Sequence, residues 1–501
     1  MRGNGVACPH DCPGPTVGNG IMRPKRRWRM SGHLQRYHRS YAEEELRLSC
    51  VVVLLEASAR WSTRVTEVTL RRRCDSPPLP SKRPDGAPAA FHVMAKPSGA
   101  ICNLDCSYCF YLEKEHLYPG GRFRMQVETM EAYIRQVLES QSGPEVTIAW
   151  QGGEPTLVGL SFFRRMVETV EHYRRPRQRI QHTLQTNATL ISDEWAAFLA
   201  ENRFLVGVSI DGPPDLHDRF RVDKRGRATS GRVLAGLAAL RRHGVEYNVL
   251  CTVHAGNVGE PLRVYRYLRD ECGALVVQFI PIVEHRPAPT DPAAVSERSV
   301  SPVAWGDFLI AVFDEWVGRD VGDVFVQTFD AILGPVLGLP AGLCVFAETC
   351  GDAVALEHNG DVYSCDHFVE PAYRLGNLHD THLVDLVGSA RQRHFGNAKR
   401  DTLPRFCREC DVRSACWGEC PKNRFAYTPD GEAGLNYLCA GYKAFFHRVD
   451  APLRVMADLI RTGRPASEIR RRIAEAKRND ECPCGSGRKA KYCHQRVPSS
   501  A

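Results

Sequence analysis

The chain has 501 residues, 43% of them hydrophobic and 25% charged, which fits two or three packed domains and excludes a wholly disordered polymer. Its formal charge of +8 comes from 66 basic and 58 acidic residues, but residues 1–90 hold 16 of the basic and 8 of the acidic ones, leaving 50 of each in the remainder. The body is therefore electrically balanced and gives no sign of a nucleic acid partner.

Residues 1–90 mix arginine runs (Arg71, Arg72, Arg73) with Pro-rich stretches and show no sustained period. They are expected to be a disordered or wrongly included extension ending in a linker, with Met94 as an alternative start. Scattered spacing of Cys8, Cys12, Cys50 and Cys74 does not suggest a metal site. The apolar run Cys50 to Leu55 is far shorter than the ~20 residues of a membrane span, and no signal-peptide order is present. The expectation is a cytoplasmic protein with no membrane partner, whose thiols stay reduced and whose cysteine clusters read as metal sites.

From Phe91 the pattern becomes regular. Strands are expected at FHVMAK, VTIAW, HTLQT, FLVGVSI, YNVLCTV and VVQFIPI. Helices are expected between them at ETMEAYIRQVLES, LSFFRRMVETVEHY, DEWAAFLAEN, RVLAGLAALRR and PLRVYRYLRDEC. Ser192 suits a helix cap, and Gly244 after Arg241, Arg242 and His243 suits a helix stop. Six apolar strands alternating with amphipathic helices predict an α/β fold with a parallel, helix-covered sheet whose ligands bind beyond the strands' carboxyl ends.

The loop after the first strand, ICNLDCSYCFY, spaces Cys102, Cys106 and Cys109 as CxxxCxxC. Three thiolates on one short loop can hold three irons of a four-iron cluster and leave the fourth open. The motif and its place after strand one resemble the radical S-adenosylmethionine (SAM) superfamily, which implies a partial (β/α)6 TIM-like barrel over residues 91–310. That resemblance assigns Gly152, Gly153 and Glu154 of QGGEP to SAM, with Glu154 taking its ammonium group. Thr186-Asn187 and Asp211 follow later strands. Ser209 is expected on the ribose or carboxylate, Arg221 on the carboxylate, and Tyr111 and Ile282 beside the adenine.

A second cysteine field holds Cys344, Cys350, Cys365, then Cys407, Cys410, Cys416 and Cys420 as CxxCxxxxxCxxxC, and Cys439. Eight thiolates make two sets of four, and spacing alone leaves two zinc sites open. The order resembles the SPASM domain, here residues 311–445, and implies two auxiliary clusters: one on Cys344, Cys350, Cys365 and Cys420, the other on Cys407, Cys410, Cys416 and Cys439. With the first cluster, three 4Fe-4S clusters are expected.

Within this superfamily CNLDCSYCFYLEK, WQGGEPTL, QTNATL, VSIDGP, HDRFR, QFIPIVE and CDHF resemble the anaerobic sulfatase-maturating enzymes, with Ala188 standing where glycine is common. The resemblance implies oxidation of a cysteine or serine in a sulfatase CxPxR or SxPxR segment to formylglycine. It also implies a deoxyadenosyl radical formed from SAM, Asp366 as general base, and an external donor such as flavodoxin or ferredoxin. The rivals are a maturase that modifies another ribosomal peptide and a zinc-binding interaction protein. After a helical connector, residues 446–478, the segment 479–501 spaces Cys482, Cys484, Cys493 and His494 as CxCxxxxxxxxCH. This suits tetrahedral zinc, resembles the SEC-C motif, and reads as a tail that recruits an unfolded sulfatase. Cys251 and Cys272 are left as buried packing.

Overall fold

The computed structural model describes residues 77–289 and 291–494; the four upstream cysteines and most of the 1–90 extension lie outside them. Six strands form where the apolar runs predict: β1 (His92–Ala95), β2 (Glu145–Trp150), β3 (Arg179–Thr186), β4 (Leu205–Ser209), β5 (Glu246–Val253) and β6 (Val276–Pro281). They pair in chain order, all parallel. The helices α1 (Val127–Ser140), α2 (Leu160–Tyr173), α3 (Asp193–Glu201), α4 (Ser230–Arg242) and α5 (Pro261–Arg266) alternate with them, the last continuing as a π turn over Tyr267–Glu271. Ser192 Oγ caps α3 by accepting the amide of Trp195 at 3.3 Å. Gly244, at φ 68°, stops α4 by donating to Arg241.

The strands are less uniformly apolar than a sheet covered on both faces requires. In β2 Val146, Ile148 and Trp150 are buried while Glu145, Thr147 and Ala149 are half-buried, and β3 alternates in the same way. One face meets the helices, where Trp150 packs edge-on against Tyr133, Phe162 and Phe163. Gln185, Ser209 and Asn248 share the other face, which is the polar inner side of an open barrel.

The sheet does not stop at six strands. β7 (Phe325–Val326) joins β6, and β8 (Ala353–Leu356) pairs parallel with β1, followed by antiparallel β9 (Asp361–Tyr363) and β10 (Arg374–Asn377), for ten strands in all among the described residues. The remaining longer helices are α6 (Pro302–Arg319), α7 (Gln327–Val336), α8 (Ala390–Asp401), α9 (Cys439–Arg461) and α10 (Glu468–Glu475). The boundaries expected at 310/311 and 445/446 fall inside α6 and α9. These two helices cross so closely that a Cβ on Gly441 would lie 1.9 Å from Pro302 O. Barrel and cysteine-rich segment thus share one sheet and one helical seam.

The end of the expected extension also needs correction. Residues 77–90 lie on the body as a loop. Arg83 donates to Ser140 O at 2.7 Å, Arg135 to Pro77 O at 2.9 Å, and the Ser142 amide to Ala89 O at 3.0 Å. Met94 sits inside β1, opposite Ala149 and Ala355; a chain starting there would lack the strand's first half. Among the described residues no helix is long and apolar enough to cross a membrane.

Candidate functional site

The loop carrying Cys102, Cys106 and Cys109 leaves β1 and is gripped by the loops after β2 and β3. Gly153 N donates to Gly99 O at 2.8 Å and Glu154 N to Ile101 O at 2.9 Å. Gly153 has no room for a side chain, since a Cβ would lie 2.1 Å from Ile101 O, and Gly152 holds φ 138°. The motif places a ligand at these glycines; what they meet here is the backbone of the cysteine loop. Asn187 adds bonds from its side-chain amide to Asn103 Oδ1 (2.8 Å) and Cys102 Sγ (3.7 Å). Burial pushes the Cys102 and Cys106 thiols up to about 12 and about 11, so these side chains become ligands only as metal-bound thiolates.

Glu154 is fully buried and answers to the same loops. Its Oε1 accepts from Thr156 N (3.0 Å), Thr156 Oγ1 (2.6 Å) and Thr186 Oγ1 (2.8 Å), and its Oε2 from Asn187 N (2.8 Å). Burial raises its pKa against these bonds. Oε2, with one donor, is the oxygen able to take a further one. Ala188 sits at φ 57°, a left-handed position that costs a non-glycine residue about 1 kcal/mol; this is the physical reason glycine suits that place in QTNATL.

Beyond β4 a second cluster forms. Asp211, buried, accepts Arg221 Nε on Oδ2 at 2.9 Å and Thr252 N on Oδ1 at 2.9 Å, and Tyr108 donates its hydroxyl to Oδ2. Burial alone would raise the Asp211 carboxyl, but the Arg221 guanidinium holds it below the usual range. His217, in the same HDRFR string as Arg221, accepts the Asp211 amide at 3.2 Å. Arg221 is thus a buried cation fixed by an aspartate, with its NH2 on Thr252 Oγ1 at 3.1 Å. Ser209, half-buried on the inner face, accepts from Gln185 at 3.0 Å. Ile282 continues β6 and is half-buried, its amide on Val253 O.

Tyr111 does not lie in this cluster. Its hydroxyl needs a buried acceptor and finds Glu357 Oε1, and its ring stands 4.6 Å from Lys96 Nζ. Tyr108, one residue before Cys109, is the ring of this loop that faces Arg221, at 5.5 Å. Tyr111 instead belongs to the surroundings of Asp366. Asp366 opens a short turn (Asp366–Phe368) directly after Cys365 and forms a buried ion pair with Lys96 at the end of β1. Burial would raise the Asp366 carboxyl, but the Lys96 ammonium beside it holds it below the usual range. The next residue, His367, packs edge-on against Phe110 of the cysteine loop and points Nδ1 at Cys420 Sγ, 3.7 Å away. Lys96, Tyr108 and Glu357 were not singled out from sequence; the only hint of Lys96 was a charge closing an apolar strand.

The eight later cysteines gather in two neighbourhoods of the module. Cys350 and Cys365 lie within electrostatic reach of Cys344, and Cys420 within reach of Cys365 and Cys344. Cys407, Cys410, Cys416 and Cys439 line one cavity together with Phe406, Asn436 and Tyr442. The cations beside them are bound by backbone oxygens, Lys399 by Cys344 O (2.5 Å) and Val345 O (2.9 Å), and Arg424 by Lys399 O (2.6 Å) and Gly418 O (2.9 Å). One buried and one half-buried positive charge, Lys399 and Arg424, suit a site of eight thiolates, and four sulfurs around one cavity suit a closed four-iron cluster.

At the far end, the ligand atoms of Cys482, Cys484, Cys493 and His494 all lie within 4.8 Å of one another. Cys484 and Cys493 sulfurs are 3.5 Å apart, and His494 Nδ1 is 3.4 Å from Cys482 and 3.2 Å from Cys493. A zinc with Zn–S bonds of about 2.3 Å sets tetrahedral edges near 3.8 Å, so the donors are almost in place. His494 Nε2 faces Asp314 of α6 at 3.7 Å, and Arg448 of α9 holds that carboxylate at 2.7 Å. The knuckle is not a free arm: its three cysteines belong to the main apolar core. Cys251 and Cys272 are buried as packing.

A three-cysteine loop after β1, a fixed arginine beyond β4 and an attached eight-cysteine module define a radical SAM enzyme with an auxiliary iron–sulfur domain. Family models agree: the radical SAM superfamily matches residues 97–268, an iron–sulfur cluster-binding (SPASM) domain residues 344–411, and the SEC-C motif residues 478–496. A serine-type anaerobic sulfatase-maturating enzyme of Bacteroides thetaiotaomicron is 45% identical over 371 residues, covering 72% of this chain and 89% of that protein. A cysteine-type enzyme of Clostridium perfringens is 32% identical over 363 residues, covering 71% and 95%. The solved structure of native anSMEcpe with bound AdoMet and the Cp18Cys peptide superposes with a TM-score of 0.66 at 31% identity, over 74% of this chain and 99% of that one. The chain belongs to the anaerobic sulfatase-maturating enzymes.

Proposed function

We propose that this chain oxidises the cysteine or serine of a CxPxR or SxPxR segment in a sulfatase polypeptide to formylglycine, without oxygen, in the cytoplasm. The reading rests above all on the meeting of the barrel's cysteine loop with the Asp366 turn of the auxiliary module, Asp366 on Lys96 at the end of β1 and His367 on Phe110. Cys102, Cys106 and Cys109 hold the first 4Fe-4S cluster. The Cys344, Cys350, Cys365, Cys420 set and the Cys407, Cys410, Cys416, Cys439 set hold two more, and an external donor such as flavodoxin or ferredoxin supplies electrons. When bound, SAM and these clusters supply one-electron chemistry able to take a hydrogen atom from an unactivated β-carbon and to accept the electron left behind.

The chain's own residues do the rest. Gly152 and Gly153 hold the cysteine loop, Glu154 Oε2 receives the SAM ammonium, and Arg221, fixed by Asp211, pairs with its carboxylate as a permanent cation. Ser209, Ile282 and Tyr108 line the remainder, Tyr108 taking the adenine-side place first given to Tyr111. Asp366 accepts the thiol or hydroxyl proton of the substrate from within about 3 Å, directly or through one water. Loss of one hydrogen atom, one proton and one electron turns a serine side chain into an aldehyde, and a cysteine side chain into a thioaldehyde that water converts with release of sulfide. The test is anaerobic incubation of the reduced protein with SAM and a CxPxR or SxPxR peptide. A hydrazine-reactive aldehyde at the target residue is expected, and deoxyadenosine with an unchanged peptide counts against the reading.

Cys482, Cys484, Cys493 and His494 bind one zinc whose role is structural, because metal binding fixes a segment too short to hold itself. Cys484→Ala is expected to remove one zinc per chain by elemental analysis and to lower the melting temperature by several degrees, while iron content stays unchanged. An unaltered melting curve in a zinc-free variant refutes the structural role.

A further inference from the structure

Lys96 has no part in the reaction described above, yet it sits between the cysteine loop, the GGEP loop and the Asp366 turn of the auxiliary module. Its side chain is 1% exposed, and a buried ammonium without a partner is strongly destabilising. Its backbone belongs to the barrel: the amide donates to Leu356 O of β8 at 2.8 Å, and the carbonyl accepts Gly99 N of the cysteine loop at 3.0 Å. A Cβ on Gly152 would touch Lys96 Cβ at 3.4 Å, so the GGEP loop lies against it too. Its side chain then crosses to the auxiliary module, where the ammonium pairs with Asp366 and overlooks Tyr111, itself bonded to Glu357. Among the described residues Lys96 is the only side chain in an ion pair with Asp366.

We propose that Lys96 is a positioning residue for the substrate-oxidising half of the reaction: rooted beside the cysteine loop, it holds the Asp366 carboxylate in register with the place where the barrel delivers the substrate's β-carbon. The two modules contribute different parts of one reaction. A base carried on a turn of the second must be placed to within a fraction of an ångström relative to the first. A misplacement of about 1 Å costs on the order of a hundredfold in rate. The inference rests on Asp366 being the base, and Lys96 acts through it rather than on SAM.

The test is the ratio of two products in Lys96→Met and Lys96→Arg. Lys96→Met is expected to form aldehyde about a hundredfold more slowly, with deoxyadenosine formed at a rate within about twofold of the parent and with unchanged iron content; a role confined to SAM would lower both products together. Lys96→Arg, which keeps the charge and most of the reach, is expected to recover most of the aldehyde, also if Lys96→Met folds poorly. Adding Lys96→Met to Asp366→Asn is expected to cause no further loss. A further loss as large as in the parent background, or equal loss of both products in Lys96→Arg, overturns the proposal while leaving the base assignment standing. An Asp366→Asn protein of full activity overturns the base assignment itself.

Discussion

Asp366→Asn is expected to cut aldehyde formation by about 10²–10⁴-fold, the usual contribution of a positioned general base, while SAM is still cleaved. Asparagine keeps the shape of the side chain and removes its ability to accept a proton. The cysteine loop, Glu154 and Arg221 lie outside the substitution, so deoxyadenosine should accumulate without matching product, a ratio that separates this variant from one that has lost its clusters. The substitution also leaves the Lys96 ammonium buried without its partner carboxylate, a change that costs stability, so iron content and melting temperature need to be read alongside. Aldehyde formed at the parental rate by an intact Asp366→Asn protein rules out the assignment.

Gly153→Ala should abolish activity altogether, and by a different route. The new Cβ would lie 2.1 Å from Ile101 O and 2.4 Å from Ile101 C. Both atoms are backbone and cannot turn aside, so the QGGEP and cysteine loops must separate next to Cys102. Their two inter-loop bonds, Gly153 N to Gly99 O and Glu154 N to Ile101 O, go with the contact. The expected result is loss of the iron held by Cys102, Cys106 and Cys109 and of all SAM cleavage, with iron elsewhere in the chain kept. Gly143→Ala is the matched control, since nothing lies within 4 Å of its added Cβ. Full iron content in Gly153→Ala would show that the loops can part without releasing the cluster.

Much of this site is legible in the sequence because its chemistry is written in local spacing. CxxxCxxC places three sulfurs on one loop, and the same holds for the C-terminal knuckle, whose four donors span thirteen residues and converge to within 4.8 Å. Six apolar runs separated by amphipathic ones are enough to place β1 to β6 and the helices between them. What stays hidden depends on distant pairing. β8 bonding to β1 joins residues some 260 positions apart, and only that pairing brings Lys96 to Asp366. A lysine ending an apolar strand reads as a solvent-facing charge until its partner is known. Tyr111 and Tyr108 show the same limit at short range: three residues apart on one loop, they are sorted by their hydroxyl acceptors, Glu357 and Asp211, which no local pattern reveals. The tail's spacing points to tetrahedral zinc, but no local pattern reveals that Asp314 and Arg448 tie it to α6 and α9.

One site on this chain is expected to take a hydrogen atom from the β-carbon of a sulfatase cysteine or serine. The most direct measurement supplies the reduced enzyme with SAM and a CxPxR or SxPxR peptide dideuterated at that β-carbon. Deuterium is expected in the deoxyadenosine, one for each aldehyde formed, with the second deuterium retained on the aldehyde carbon. Deoxyadenosine free of deuterium, alongside a peptide that keeps both labels or is altered elsewhere, would contradict it.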